Sequence, residues 1–211
     1  MPFDFLKRKK EPEAAVEPAP PAEPVAQGIP FEGLTEDWRL IGRMLVTGRM
    51  SDALNKREPI AIVDVNWAPI DESEPLAPAP GLKSVDPYDL VIVLTDGESL
   101  PESEEERTAH RVHKVSYEVA LEVPPYRVVG TVYLYPGSEP DSLLMRSSDM
   151  FVPVVDASAT VGDRPIGAAP AILVNRQYLR EVEQVDVRTG ERHTPLPGAS
   201  MGGVNWSDRT R

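Results

Sequence analysis

Apolar and polar residues alternate with a period of two along much of this chain. Trp38, Leu40, Gly42, Met44 and Val46 interleave with Arg39, Ile41, Arg43 and Leu45, the pattern of a strand with two unlike faces. Val115, Tyr117, Val119 and Leu121 do the same against Ser116, Glu118, Ala120 and Glu122, and residues 126–135 resume as a strand after Pro124-Pro125 bends the chain. The run at 60–65 predicts a short strand buried on both faces, and residues 88–95, 151–157, 171–174 and 182–187 add further strands. Helical signals are brief. Ser51 or Asp52 can cap a turn over residues 51–55, and a looser one falls at 141–145. The proline-rich stretch 69–87 and the segment 160–169 predict loops, and Pro136-Gly137 a turn.

These elements occur twice in the same order. Trp38-Arg39-Leu40-Ile41-Gly42 is echoed by Tyr126-Arg127-Val128-Val129-Gly130, and Ser51-Asp52-Ala53-Leu54 by Asp141-Ser142-Leu143-Leu144. Ile60-Ala61-Ile62-Val63-Asp64-Val65 is matched by Phe151-Val152-Pro153-Val154-Val155-Asp156-Ala157. Ordered self-similarity of this kind predicts two copies of one unit. The expected fold is mainly β (β-rich α+β): two tandem small β-domains or half-barrels, each with one short helical turn. The expected boundaries are a disordered, Pro-rich N-terminal region at 1–30, a first β-repeat at 31–96, an acidic linker at 97–112, a second β-repeat at 113–188 and a flexible tail at 189–211.

The string Gly48-Arg49-Met50-Ser51-Asp52-Ala53-Leu54-Asn55, followed by the strand ending in Asp64-Val65, resembles a small bacterial domain family of unknown function. Its members read Arg-x-Ser-Asp-x-Leu-Asn, then a strand closing on Asp-Ala. The second half resembles the same family through Val129-Gly130-Thr131-Val132, the strand ending in Asp156-Ala157, and Ile172-Leu173-Val174-Asn175. It departs from the pattern at the helical turn, where Glu139-Pro140-Asp141-Ser142-Leu143-Leu144 stands instead. The resemblance implies bacterial origin and a recurring β fold, and it brings no activity or functional residues.

Composition narrows the function classes. A net charge of -12 over 211 residues disfavours nucleic acid, whose binding rests on Lys and Arg neutralising phosphates. With no cysteine there is no disulfide, thiolate metal site or Cys nucleophile. No secretory h-region and no run of about 18 apolar residues is present, so a cytoplasmic protein is expected, and the Asn205-Trp206-Ser207 sequon reads as chance.

Candidate chemistry is sparse. Asp64 and Asp156 hold equivalent places at the ends of apolar runs, either as a carboxylate pair or, as favoured here, as caps of the turn leaving each strand. His110 and His113 are spaced for one face of a helix but opposite faces of a strand, and His193 lies in the expected tail, so a structural or surface role is preferred. Neither a phosphate-binding loop nor a Gly-x-Ser-x-Gly elbow occurs. Gly42 and Gly130 recur mid-strand, as at a bulge or close backbone approach. Arg39 and Arg127 read as solvated ion-pair partners, with an anion site in each copy as the other option.

The sharpest hint is the N-terminus, where Phe3, Phe5 and Leu6 precede Lys7, Arg8, Lys9 and Lys10 on an otherwise acidic protein. Such a peptide suits weak contact with an anionic membrane surface, each basic residue contributing about 1 kcal/mol, or docking to a partner, or simply a solubilising terminus. No catalytic, metal or cofactor residue is nominated. The expectation is a non-enzymatic interaction or scaffold protein with a protein partner, cytoplasmic or peripheral at the inner membrane. The alternative is a regulatory sensor that binds a small ligand between the repeats.

Overall fold

The computed structural model describes residues 27–95, 114–145 and 149–186. The fold is mainly β. Eleven strands run as β1 (Gln27–Leu34), β2 (Trp38–Val46), β3 (Ile60–Pro69), β4 (Ala77–Pro78), β5 (Ser84–Val85), β6 (Ile92–Thr95), β7 (Val115–Val123), β8 (Tyr126–Leu134), β9 (Phe151–Val161), β10 (Arg164–Asn175) and β11 (Glu181–Gln184). One short helix, α1 (Met50–Asn55), and 3-10 turns at Pro87–Asp89 and Pro140–Leu144 interrupt them. The strands form one antiparallel sheet, β11-β7-β8-β9-β10-β6-β1-β2-β3-β4, with β5 also on β3, and the sheet does not close into a barrel.

Three segments expected to lack regular structure contain strands: the 69–87 loop carries the short β4 and β5, and 27–30 and 160–169 belong to longer strands. Residues 27–30 were assigned to the linker, yet β1 begins at Gln27 and pairs with β2 along its whole length. On its other side β1 meets β6 only through Glu32–Leu34, so Pro30 needs no donor there. Residues 160–169 were expected as a loop, but β9 and β10 form a hairpin turning at Gly162 and Asp163. Pro165 lies in the part of β10 that precedes its pairing with β6 at Ala171–Val174, where a missing N–H leaves no bond to β6 unmade, and Pro170 falls opposite the left-handed Asp156, where the β9–β10 ladder has no pair.

The two halves follow the same path. The first runs β6-β1-β2-β3 and then β4 with β5; the second runs β11-β7-β8-β9-β10. Small devices recur at matching points. Asp86 accepts a hydrogen bond from the Tyr88 N–H at 3.0 Å, and Asn175 one from the Gln177 N–H at 3.0 Å, each turning the chain toward its last strand. That strand then docks through Val91 N–H to Leu34 O at 2.8 Å, or Arg180 N–H to Glu122 O at 2.8 Å.

The repeated glycine and aspartate form a further device. The β2–β3 register slips between Ile41 and Arg43, opposite Asp64, and the β8–β9 register slips between Val129 and Thr131, opposite Asp156. Both are bulges whose extra residue is left-handed, with φ of 54° at Asp64 and 50° at Asp156. Aspartate tolerates that conformation better than most side chains. The facing glycine lets the bulged backbone approach. A Cβ on Gly130 would lie 2.8 Å from Val154 Cγ1 and 2.9 Å from Val155 O, and one on Gly42 would lie 3.0 Å from Val63 O. Asp64 and Asp156 therefore bend long strands from within, and the expectation that they cap turns at strand ends is corrected.

Burial explains how the halves join. Ile92, Val93, Ile172, Leu173 and Val174 are almost wholly inaccessible. Ile92, Ile172 and Val174 belong to the core enclosed by the second half, while Val93 and Leu173 face the core enclosed by the first. Strands β6 and β10 are thus the partition between two cores. Polar contacts reinforce the seam. Asn55 brackets Phe151 by accepting from its N–H at 2.8 Å and donating to its carbonyl, and buried Asn175 donates to Leu90 O at 2.8 Å. Tyr126, 1% exposed, donates its hydroxyl to Thr35 O at 2.5 Å.

Gly130→Ala should lower stability by about 2–3 kcal/mol and Gly42→Ala by about 1 kcal/mol in urea unfolding, because a Cβ on Gly130 would meet its three nearest neighbours at 2.8–2.9 Å and one on Gly42 at 3.0–3.3 Å. Asp156→Asn should be near neutral, whereas Asp156→Val should cost about 1–2 kcal/mol through its left-handed φ. Burial, aided by the charge of Asp37 and opposed by Arg164, raises the Tyr126 phenol above its ordinary range. The unfolded chain ionises near pH 10, so this contribution is complete below that pH and lost as pH rises above it. Tyr126→Phe should cost about 1–2 kcal/mol at pH 8, and its deficit relative to the wild type should shrink in unfolding experiments above pH 10.

Candidate functional site

The residues nominated from sequence do not converge on one chemical centre. Asp64 and Asp156 are exposed on separate bulges, and among the described residues no group of three or more His, Cys, Asp or Glu side chains is placed to hold a metal ion. Arg39 pairs with Glu32 at 2.8 Å, and Arg127 with Glu122 at 3.2 Å and Glu183 at 3.5 Å. These are partly exposed ion pairs of small energetic worth. His110, His113 and His193 lie outside the described residues, as do Phe3, Phe5, Leu6, Lys7, Arg8, Lys9 and Lys10.

A groove lies on the first half, reaching the second only at Ile166. It has a volume of about 370 Å³ and is lined by Leu34, Ala68, Ile70 and Leu76 of the first half and Ile166 of the second, with Arg39 and Glu72 at its polar side. Both charges are engaged. Arg39 holds Glu32, and Glu72 meets Arg164 of the second half at 2.6 Å, whose guanidinium also donates to Ile70 O. Nearby, hydrogen bonds from Ser73 hold the exposed Asp71 carboxyl below the usual carboxylate range, which steadies the turn after β3. With Arg39 and Glu72 paired, the groove presents mainly apolar surface, with Glu74 also on its wall. A second, more open hollow of about 600 Å³ runs along β3 between β4 and β5, beside exposed Val63, Asp64 and Lys83.

The most distinctive surface feature is a pair of stacked indoles. Leu40 on β2 faces Trp67 on β3, which makes Trp38 the diagonal neighbour of Trp67 on the same face. Their ring centroids are 4.8 Å apart with planes 18° from parallel, yet Trp38 is 38% and Trp67 41% exposed. The corresponding positions of the second half are Tyr126 and Ala159, the latter three residues beyond Asp156 as Trp67 is beyond Asp64; both are 1% exposed. There the β1–β2 turn of the first half lies against Tyr126, through the Tyr126–Thr35 hydrogen bond. One end of the molecule thus buries this site and the other leaves it open.

Trp67 carries no strand signal in the sequence because the apolar run stops at residue 65. The bulge at Asp64 shifts the alternation by one residue, after which the strand continues to Pro69. The usable signal was the recurrence of Gly42 and Gly130 opposite the two aspartates, which marks that shift. No protein-family model, curated protein or solved structure matches this chain, and its role is therefore read from the open indole stack and the groove.

Proposed function

We propose that this chain is a non-enzymatic binding module, a tandem duplication of one five-stranded unit that engages a protein partner through Trp38 and Trp67. The observation that carries this is the exposed stack itself. Two large aromatic surfaces remain in water on one half, while their counterparts on the other are buried. Exposed tryptophans that pack into a partner are typical anchors, worth about 2 kcal/mol or more when truncated. The paired charges and scattered carboxylates support binding over catalysis.

The resemblance to a small bacterial domain family and a cytoplasmic setting belong to the same proposal. Among the described residues no helix is long and apolar enough to cross a membrane. The peptide Phe3, Phe5, Leu6, Lys7, Arg8, Lys9 and Lys10 is proposed as a second, weaker contact, with a partner or with an anionic membrane. A second reading, a small apolar ligand in the groove, is supported by its volume, which lies within the usual range for ligand pockets.

Trp67→Ala should leave the fold intact at a cost of about 0.5–1.5 kcal/mol from the lost stacking. Full-length Trp67→Ala protein, immobilised and challenged with cell extract, should recover its partner at least tenfold less than the wild type. Equal recovery would sink the proposed role of the stack. A small molecule that raises the melting temperature of both proteins equally would favour the groove instead.

A further inference from the structure

We propose that the protein engaged by the Trp38–Trp67 surface is a second copy of this chain, added head to tail; this rests on the binding role proposed above. The internal seam supplies the template. Within one chain, the fourth strand of the second half (β10) pairs with the last strand of the first half (β6) through Ala171–Thr95, Ile172–Leu94, Leu173–Val93 and Val174–Ile92. The same two kinds of edge recur at the ends of the sheet. Val85 lies opposite Ile60, four residues before Asp64, as Val174 lies opposite Val152, four residues before Asp156. Residues 82–85 therefore correspond to 171–174, and β11 corresponds to β6 through the matching Val91 and Arg180 hydrogen bonds.

Repeating the seam between molecules makes three matches at once. Ile172–Leu94 becomes Lys83 opposite Glu183, so an apolar pair is replaced by opposite charges. Tyr126 under the Thr35 turn becomes Trp38 and Trp67 under the β7–β8 turn. That turn has two residues, against three in the β1–β2 turn, and carries exposed Pro124 and Pro125. Asn55 beside the start of β9 becomes Leu144 and Met145, 45% and 72% exposed, beside the start of β3. Pro75, Pro78 and Pro80 blunt the β4 part of the open edge, but residues 82–85 contain no proline.

A contact between two different surfaces does not consume itself in a dimer. It leaves one free site of each kind and builds chains or rings. The polar residues at 82–85 and 181–184, in place of the apolar ones at the internal seam, make it a weaker and reversible version of that seam.

The test uses full-length protein and two surface variants, Lys83→Glu on one contact surface and Pro124→Glu on the other, each checked for a wild-type melting curve. In analytical ultracentrifugation, the wild-type weight-average mass should at least double between about 10 µM and about 1 mM, the range for a weak interface. Each variant alone should stay monomeric, and an equimolar mixture should form a one-to-one dimer, since each retains one intact surface. The tryptophan emission of the wild type should shift to the blue as it associates. A wild type that is monomeric throughout, variants that associate as it does, or a mixture that stays monomeric would overturn the proposal. None of those outcomes touches the broader binding role, which fails only if partner recovery is indifferent to Trp67.

Discussion

The structure depends on a pairing that neither half can satisfy alone, β6 against β10. Leu90, Val91, Ile92 and Val93, like Ile172, Leu173 and Val174, are inaccessible to water. In an isolated half, one face of each strand and one row of backbone groups would be exposed. Pairing removes both costs together, since the backbone groups find partners and the outward side chains enter the other half's core. The residues that hold the seam, Asn55, Asn175, Tyr126 and Arg164, then have fixed targets on the opposite half. A picture of two domains lying side by side understates this, because each core contains side chains from both halves.

Much of this was legible in the order of residues, and what was missed has a common cause. β2 and β8 announce themselves by alternation, since each has one face on a core and one toward solvent, and β7 alternates in sequence although Val119, Ala120 and Leu121 are all buried. The glycine and aspartate echoes mark the bulges. Prolines misled where the ladder makes no demand on them: Pro30 and Pro165 lie where a strand has only one neighbour, and Pro170 lies opposite the left-handed Asp156, where the ladder is already interrupted. Trp67 escaped because a bulge reverses the phase of alternation, and a pattern read with one phase ends at the bulge.

The proposed binding role rests on where the two halves diverge. Where the backbone paths agree, the changed side chains report a changed environment. Tyrosine and alanine stand where the site is buried, and two tryptophans where it is exposed among the described residues. Isoleucine and leucine line the internal seam, and lysine and glutamate occupy the matching places at the open ends. Arg176 shows the same economy at a smaller scale: it donates to the carbonyls of Leu143, Ser142 and Met145 and closes the 3-10 turn that stands where the first half has a helix.

The two-sided burial of β6 also sets a timing problem for a ribosome. The strand leaves the exit tunnel with the first half, but its partner β10 ends some 80 residues later, at Asn175. At synthesis rates of about 5–20 residues per second, that interval is roughly 4–16 s. Throughout it the nascent chain displays a bare apolar edge of the kind that recruits chaperones or stray strands. The seam that unites the finished molecule is, during its birth, the surface most in need of an escort.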